Sequence, residues 1–111
     1  MKYRALINRF CLFIALIAVC SSPLFAQTPR VLIVGDSWAA QQVADNVHQV
    51  VFTANGFSQF TVDGANTAIS GSEAADWAMA DQLALIAEAL DAEPSIDTVQ
   101  LTIGGNDFLG A

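Results

Sequence analysis

The chain reads as an α/β domain on a parallel sheet, and three observations predict it. Three short apolar runs have strand composition, at residues 31–34, 57–62 and 98–103. Two longer stretches between them carry apolar residues at helical spacing. Each apolar run also passes directly into a loop of small and polar residues. Strands alternating with helices argue for parallel strands with helices on the sheet faces.

Val31-Leu32-Ile33-Val34 is continuous and apolar, the pattern of a strand buried on both faces. Gly35 ends it, and residues 38–54 read as one helix with an apolar stripe of Val43, Val47, Val50 and Val51. Asn55-Gly56 stops that helix. Residues 57–62 alternate, with Phe60 and Val62 on one face. A turn at 63–66 and a loop at 67–72 follow. Residues 73–92 read as a second helix, with Ser72 as N-cap and Glu73 in the first turn. Its expected apolar face is Ala74, Trp77, Ala78, Leu83, Ile86, Ala87 and Leu90. Glu93-Pro94-Ser95 breaks it, and the third strand at 98–103 runs into a turn at Gly104-Gly105-Asn106-Asp107. No internal repeat or linker interrupts this order.

The first 26 residues have a different composition. Lys2, Arg4 and Arg9 precede an apolar core, and Pro23-Leu24-Phe25-Ala26 follows it. That order is expected of a secretory signal peptide. The core of roughly ten residues is short beside the ~20 a membrane span needs. Cleavage is expected after Ala26, leaving residues 27–111 as the mature domain, secreted or periplasmic. A lipoprotein anchor at Cys20 is the alternative, and the only membrane partnership expected. Both cysteines, Cys11 and Cys20, lie in the leader, so the mature chain has no disulfide to form. All eleven acidic residues remain against Arg30 alone, a formal charge of −10 with His48 neutral. Such a surface is a poor partner for nucleic acid, whose phosphates need cations. It suits solubility instead. Roughly 85 mature residues make a marginal core for an α/β layer fold.

The chemistry gathers in three loops, at 35–37, 63–71 and 104–107. Right-handed crossovers would set all three strand C-termini along one edge, where ligands of such sheets bind. Ser37 opens a helix, so its backbone N–H lies at the positive end of the helix dipole. Gly71 has no side chain to obstruct a second backbone N–H. Asn106 offers a side-chain amide of the kind that stabilises an oxyanion. Asp36 and Asp107 flank these groups as supporting residues. Taken singly, Asp36 or Ser37 caps a helix, Gly71 is a loop glycine, and Asn106-Asp107 is a turn. Together, in this order and each at a strand end, they point to acyl transfer.

These stretches resemble the SGNH (GDSL-type) hydrolases, a family of esterases and lipases. Gly35-Asp36-Ser37 looks like its first block, with Trp38 in place of the leucine of the GDSL name. Asn66-Thr67-Ala68-Ile69-Ser70-Gly71 is similar to its second block, and Gly104-Gly105-Asn106-Asp107 to its third. The resemblance spans residues 30–111. It implies a serine nucleophile at Ser37 and an oxyanion hole made of the Ser37 N–H, the Gly71 N–H and Asn106. It further implies a small-molecule, lipid or carbohydrate ester as substrate, with no metal and no cofactor. The implied fold is three-layer and flavodoxin-like, with five parallel strands in order 2-1-3-4-5. This chain supplies strand–helix–strand–helix–strand of it.

The family's final block, Asp-x-x-His, has no counterpart here. His48 is the single histidine, roughly 16 Å along a continuous helix from Ser37 at about 1.5 Å per residue, and reads as a helix-surface residue. The third strand would also be an edge with apolar side chains open to water. One truncation accounts for both, so the expectation is the N-terminal part of a secreted esterase, inactive as it stands. The alternative is a non-catalytic acyl- or carbohydrate-binding module. A nucleotide-binding Rossmann half, suggested by Gly35 and Asp63, lacks the Gly-x-Gly-x-x-Gly pattern.

Overall fold

The computed structural model describes residues 26–109. The leader, with Cys11 and Cys20, lies outside them apart from Ala26. The described residues form a three-stranded parallel sheet in the order β2-β1-β3. Strand β1 spans Thr28–Gly35, β2 Phe60–Asp63 and β3 Thr98–Thr102. Helices α1 (Ser37–Ala44) and α2 (Val47–Ala54) lie between β1 and β2. A 3-10 turn (Asp76–Ala78) and α3 (Ala80–Ala92) lie between β2 and β3, and α4 (Gly105–Leu109) follows β3. The α/β reading with a parallel sheet holds. No helix among the described residues is long and apolar enough to cross a membrane.

Strand β1 is the central strand and is longer than residues 31–34. Its apolar half pairs with β3 from Val31↔Thr98 to Gly35↔Thr102. Its first half pairs with β2 from Thr28↔Phe60, with a register shift between Pro29 and Val31. Proline has no N–H to give to a ladder, which suits it to such an irregularity. Leu32, Ile33 and Val34 are fully buried. Alternation sends Leu32 and Val34 to one face, where Trp77, Ile69, Ile86, Ala89, Leu90, Ile96 and Ile103 pack. Ile33 faces the opposite layer, where Val43 of α1 reaches over Gly64. The molecule is thus helix, sheet, helix, with α1 and α2 on one face and α3 on the other.

Three readings change at the element level. Residues 38–54 are two helices, not one. Asn46 adopts a left-handed conformation (φ 53°) between them. Asp45 and Asn46 are weak helix formers, and asparagine tolerates that conformation better than most residues. The break takes the valine stripe out of phase, so Val47, Val50 and Val51 are exposed. Aromatic packing holds α2 to the sheet instead. Phe52 meets Phe60 edge-on at 6.1 Å, and Phe57 stacks on Phe60 at 5.5 Å. Phe57 belongs to the turn before β2, which begins only at Phe60. Arg30 covers the Phe60 ring at 5.2 Å and forms an ion pair with Asp97.

The second predicted helix also divides. Residues 73–75 are a turn, and Met79 is extended (ψ 150°), so α3 starts at Ala80. Ser72 is not a helix N-cap, because its hydroxyl is engaged elsewhere. Glu73 lies in the turn, where its N–H donates to the Asp76 carboxylate at 2.8 Å. The shift leaves Ala74, Ala78, Leu83 and Ala87 exposed, and Ile86, Ala89 and Leu90 face the core. Finally, the turn read at 104–107 opens a short helix, α4. Strand β3 is an edge, and Val99 and Leu101 are half exposed on the α3 side of it.

Candidate functional site

The C-terminal end of β1 is held on both sides by backbone. Asp36 N–H donates to the Thr102 carbonyl at 3.0 Å, which ties the turn after β1 to the end of β3. On the other side, Gly35 N–H donates to the Thr67 carbonyl at 2.9 Å, and Ile69 N–H returns a bond to the Gly35 carbonyl at 2.8 Å. Gly35 must be glycine here. Its φ is +149°, and a Cβ would fall on the Thr102 carbonyl oxygen.

Asp36 is 1% exposed, and its Oδ1 accepts from the Trp38 N–H at 2.9 Å. It is therefore the N-cap of α1, satisfying one of the helix's orphan donors. Ser37 is the first residue of α1 and is half-buried. The cap fixes the direction in which α1 starts, and with it the position of the Ser37 hydroxyl and N–H. No side-chain hydrogen bond of Ser37 is present among the described residues.

Gly71 lies in the second loop with φ +87°, and the space a Cβ would occupy is open. Its glycine character answers a backbone need, not the close approach of a neighbour. Asn106, half-buried in α4, donates from Nδ2 to the Ser72 carbonyl at 2.8 Å. An amide has two N–H groups, so one remains to donate elsewhere. Asp107 is exposed, and its carboxylate accepts from the Ala74 N–H at 3.1 Å, tying α4 to the turn before the 3-10 segment.

Ser72 is the residue the sequence left out of the site. Its hydroxyl is buried and lies 2.9 Å from the Ile69 carbonyl and 3.2 Å from the Gly35 carbonyl, both acceptors. It also accepts from the Trp77 indole N–H at 3.0 Å. Its own carbonyl takes the Asn106 amide. One serine thus links the turn of Ser37, the loop of Gly71 and the loop of Asn106. Thr67 adds a buried hydroxyl bond of 2.6 Å to the Ile33 carbonyl. The sequence signals a hydrogen-bonding hydroxyl at position 72, but partners 37 residues away carry no local pattern.

His48 stands apart from this cluster. The helix break removes the continuous-helix spacing, and the residue is half-buried instead of surface-lying. Its Nε2 shares a hydrogen bond with Gln100 Oε1 at 2.8 Å, and Gln100 donates in turn to Gln42 at 2.7 Å. Gln100 pairs with Ile33, two strand positions before the Gly35↔Thr102 end. A cavity of about 570 Å³ on this layer is lined by His48, Gln49, Thr61 and Val62 among others, none of them in the three loops. Among the described residues no group of three or more His, Cys, Asp or Glu could hold a metal ion. The Ser37 hydroxyl thus stands at a helix start, and hydrogen bonds join its turn to the loop of Thr67 and Ile69 and to the end of β3. The chain matches no family model, no curated protein and no solved structure.

Proposed function

We propose that this chain carries the nucleophile and oxyanion half of a serine ester hydrolase of the SGNH type, exported by its leader. The single observation that supports this most is the joining of three loops into one site. Gly35 bonds the second loop, Asp36 bonds the end of β3, and Asn106 bonds Ser72. These hydrogen bonds support reading the motifs at Ser37, Gly71 and Asn106 as one cluster instead of three separate turns. The strand order β2-β1-β3 is the first part of the order expected for a flavodoxin-like sheet.

In the proposed reaction the Ser37 oxygen bonds to the ester carbonyl carbon and its proton passes to a base. The carbonyl π pair moves to oxygen, where the Ser37 and Gly71 N–H groups and the free Asn106 N–H would meet it. Collapse of that intermediate expels the alcohol and leaves an acyl-Ser37, which water then cleaves. The nucleophile is weak without an adjacent base. No side-chain hydrogen bond joins Ser37 to a base among the described residues, so turnover of these residues alone is expected to be slow. Residual catalysis of roughly 10³–10⁴ over water is what oxyanion binding alone sustains in serine proteases. The same absence of a bonded base favours the second reading, a module that binds acyl or carbohydrate groups without cleaving them.

An alkyl fluorophosphonate separates the two. With imidazole added as proton acceptor, the hydrolase reading predicts a single adduct, on the peptide containing Ser37, abolished in Ser37→Ala. Equal labelling of other serines, such as Ser58 or Ser70, would remove Ser37 from the role of nucleophile.

A further inference from the structure

Trp38 is the most exposed side chain directly next to Ser37. Its relative exposure is 68%, whereas the chain's other tryptophan, Trp77, is at 5%. Two features fix where it stands. Its backbone N–H is bonded to the Asp36 carboxylate, at the cap of α1. Its indole edge lies against Gly105, where a Cβ would come within 3.5 Å of Cδ1 and 3.6 Å of Nε1. The indole therefore sits in ordinary contact distance of Gly105, between the Ser37 turn and the Asn106 helix. The helix that begins at Gly105 also carries Phe108 and Leu109, 87% and 86% exposed.

We propose that Trp38 determines specificity at this site, as an open indole platform on which a ring of the ester substrate stacks. This rests on the Ser37 reading only for the word substrate; the platform itself is a binding feature. Large aromatic surface left in water beside a nucleophile gains most by covering, and an indole is best covered by a flat π face or by the C–H face of a sugar ring. Aryl esters and acylated sugars share that chemistry. Straight-chain alkyl esters lack it. A formal charge of −7 for the whole chain further favours a neutral ring over an anionic one.

The test is a calorimetric titration of the full chain, carrying Ser37→Ala so that no ester is consumed, because the readout must survive replacement of Trp38. The probes are phenyl butyrate, a mono-butyrylated methyl glucoside and ethyl butyrate. The expected result is a saturable heat of binding with at least one ring ester at about tenfold lower concentration than with ethyl butyrate. Trp38→Ala should abolish that preference, and Trp38→Phe should restore most of it. A response to phenyl butyrate alone assigns the aryl source, and a response to the glucoside alone the sugar. The proposal is overturned if Trp38→Ala binds the ring esters as before, if it loses ring and ethyl esters equally, or if no probe binds. Fluorophosphonate labelling with Ser37 intact and imidazole present reports separately on the nucleophile. An adduct at Ser37 without ring preference removes the platform only, and ring preference without an adduct removes the nucleophile only.

Discussion

Ser72 and Gly35 carry most of the positioning at the scale of single residues. Replacing Ser72 by alanine deletes its hydroxyl's links to two carbonyls and leaves the buried Trp77 indole N–H without an acceptor. An unsatisfied buried donor costs about 1–3 kcal/mol. Ser72→Ala should therefore lower the unfolding free energy by that amount in chemical denaturation, with faster exchange of the Trp77 indole proton. Unchanged indole exchange would show that the bond is not made in solution. The two loop glycines make a contrasting pair. Gly71→Ala meets open space and only the strain of φ +87°, so a loss of about 1–2 kcal/mol is expected. Gly35→Ala meets the Thr102 backbone as well, so β1 and β3 must separate at that end. Chemical denaturation of both variants should rank Gly35→Ala as much the more damaging. Equal losses would contradict the packing described for the β1 turn.

At the scale of elements, the open side of β3 is the weakness. Val99 and Leu101 sit on an edge strand with half of each side chain in water. Exposed apolar edges template pairing with other chains, and a lysine there blunts them. Leu101→Lys should reduce concentration-dependent light scattering while changing unfolding free energy by no more than about 0.5 kcal/mol, as for a surface substitution. Unaltered scattering would place self-association elsewhere, with α2 and its exposed Val50 and Val51 next in line. The elements also show what a single sequence reveals. Strand β1 was legible because four consecutive apolar residues at a strand–glycine boundary admit few other readings. The two helix breaks were not. Asn46 and Met79 are set by tertiary demands, the docking of Phe52 on Phe60 and of Trp77 on Leu32 and Val34, which override a continuous helical pattern.

For the whole molecule, the layer order was legible and the wiring of the site was not. Alternating strands and helices dictate a parallel sheet and place three loops at one edge, whatever the details. Which backbone groups meet there depends on contacts such as Asn106 to Ser72, separated by 34 residues, which no local pattern encodes. The proposed site at this edge holds a nucleophile and oxyanion donors, with no base hydrogen-bonded to Ser37 among the described residues. Imidazole added to the full chain tests this proposal most directly, because it supplies a proton acceptor from solution. With p-nitrophenyl butyrate, the rate in excess of that of Ser37→Ala should be near zero without imidazole. It should rise at least tenfold as imidazole is added, since general-base assistance contributes about 10²–10⁴ when fully positioned. Superimposable imidazole profiles for the native chain and Ser37→Ala would contradict the account, as would rapid Ser37-dependent turnover in the absence of imidazole.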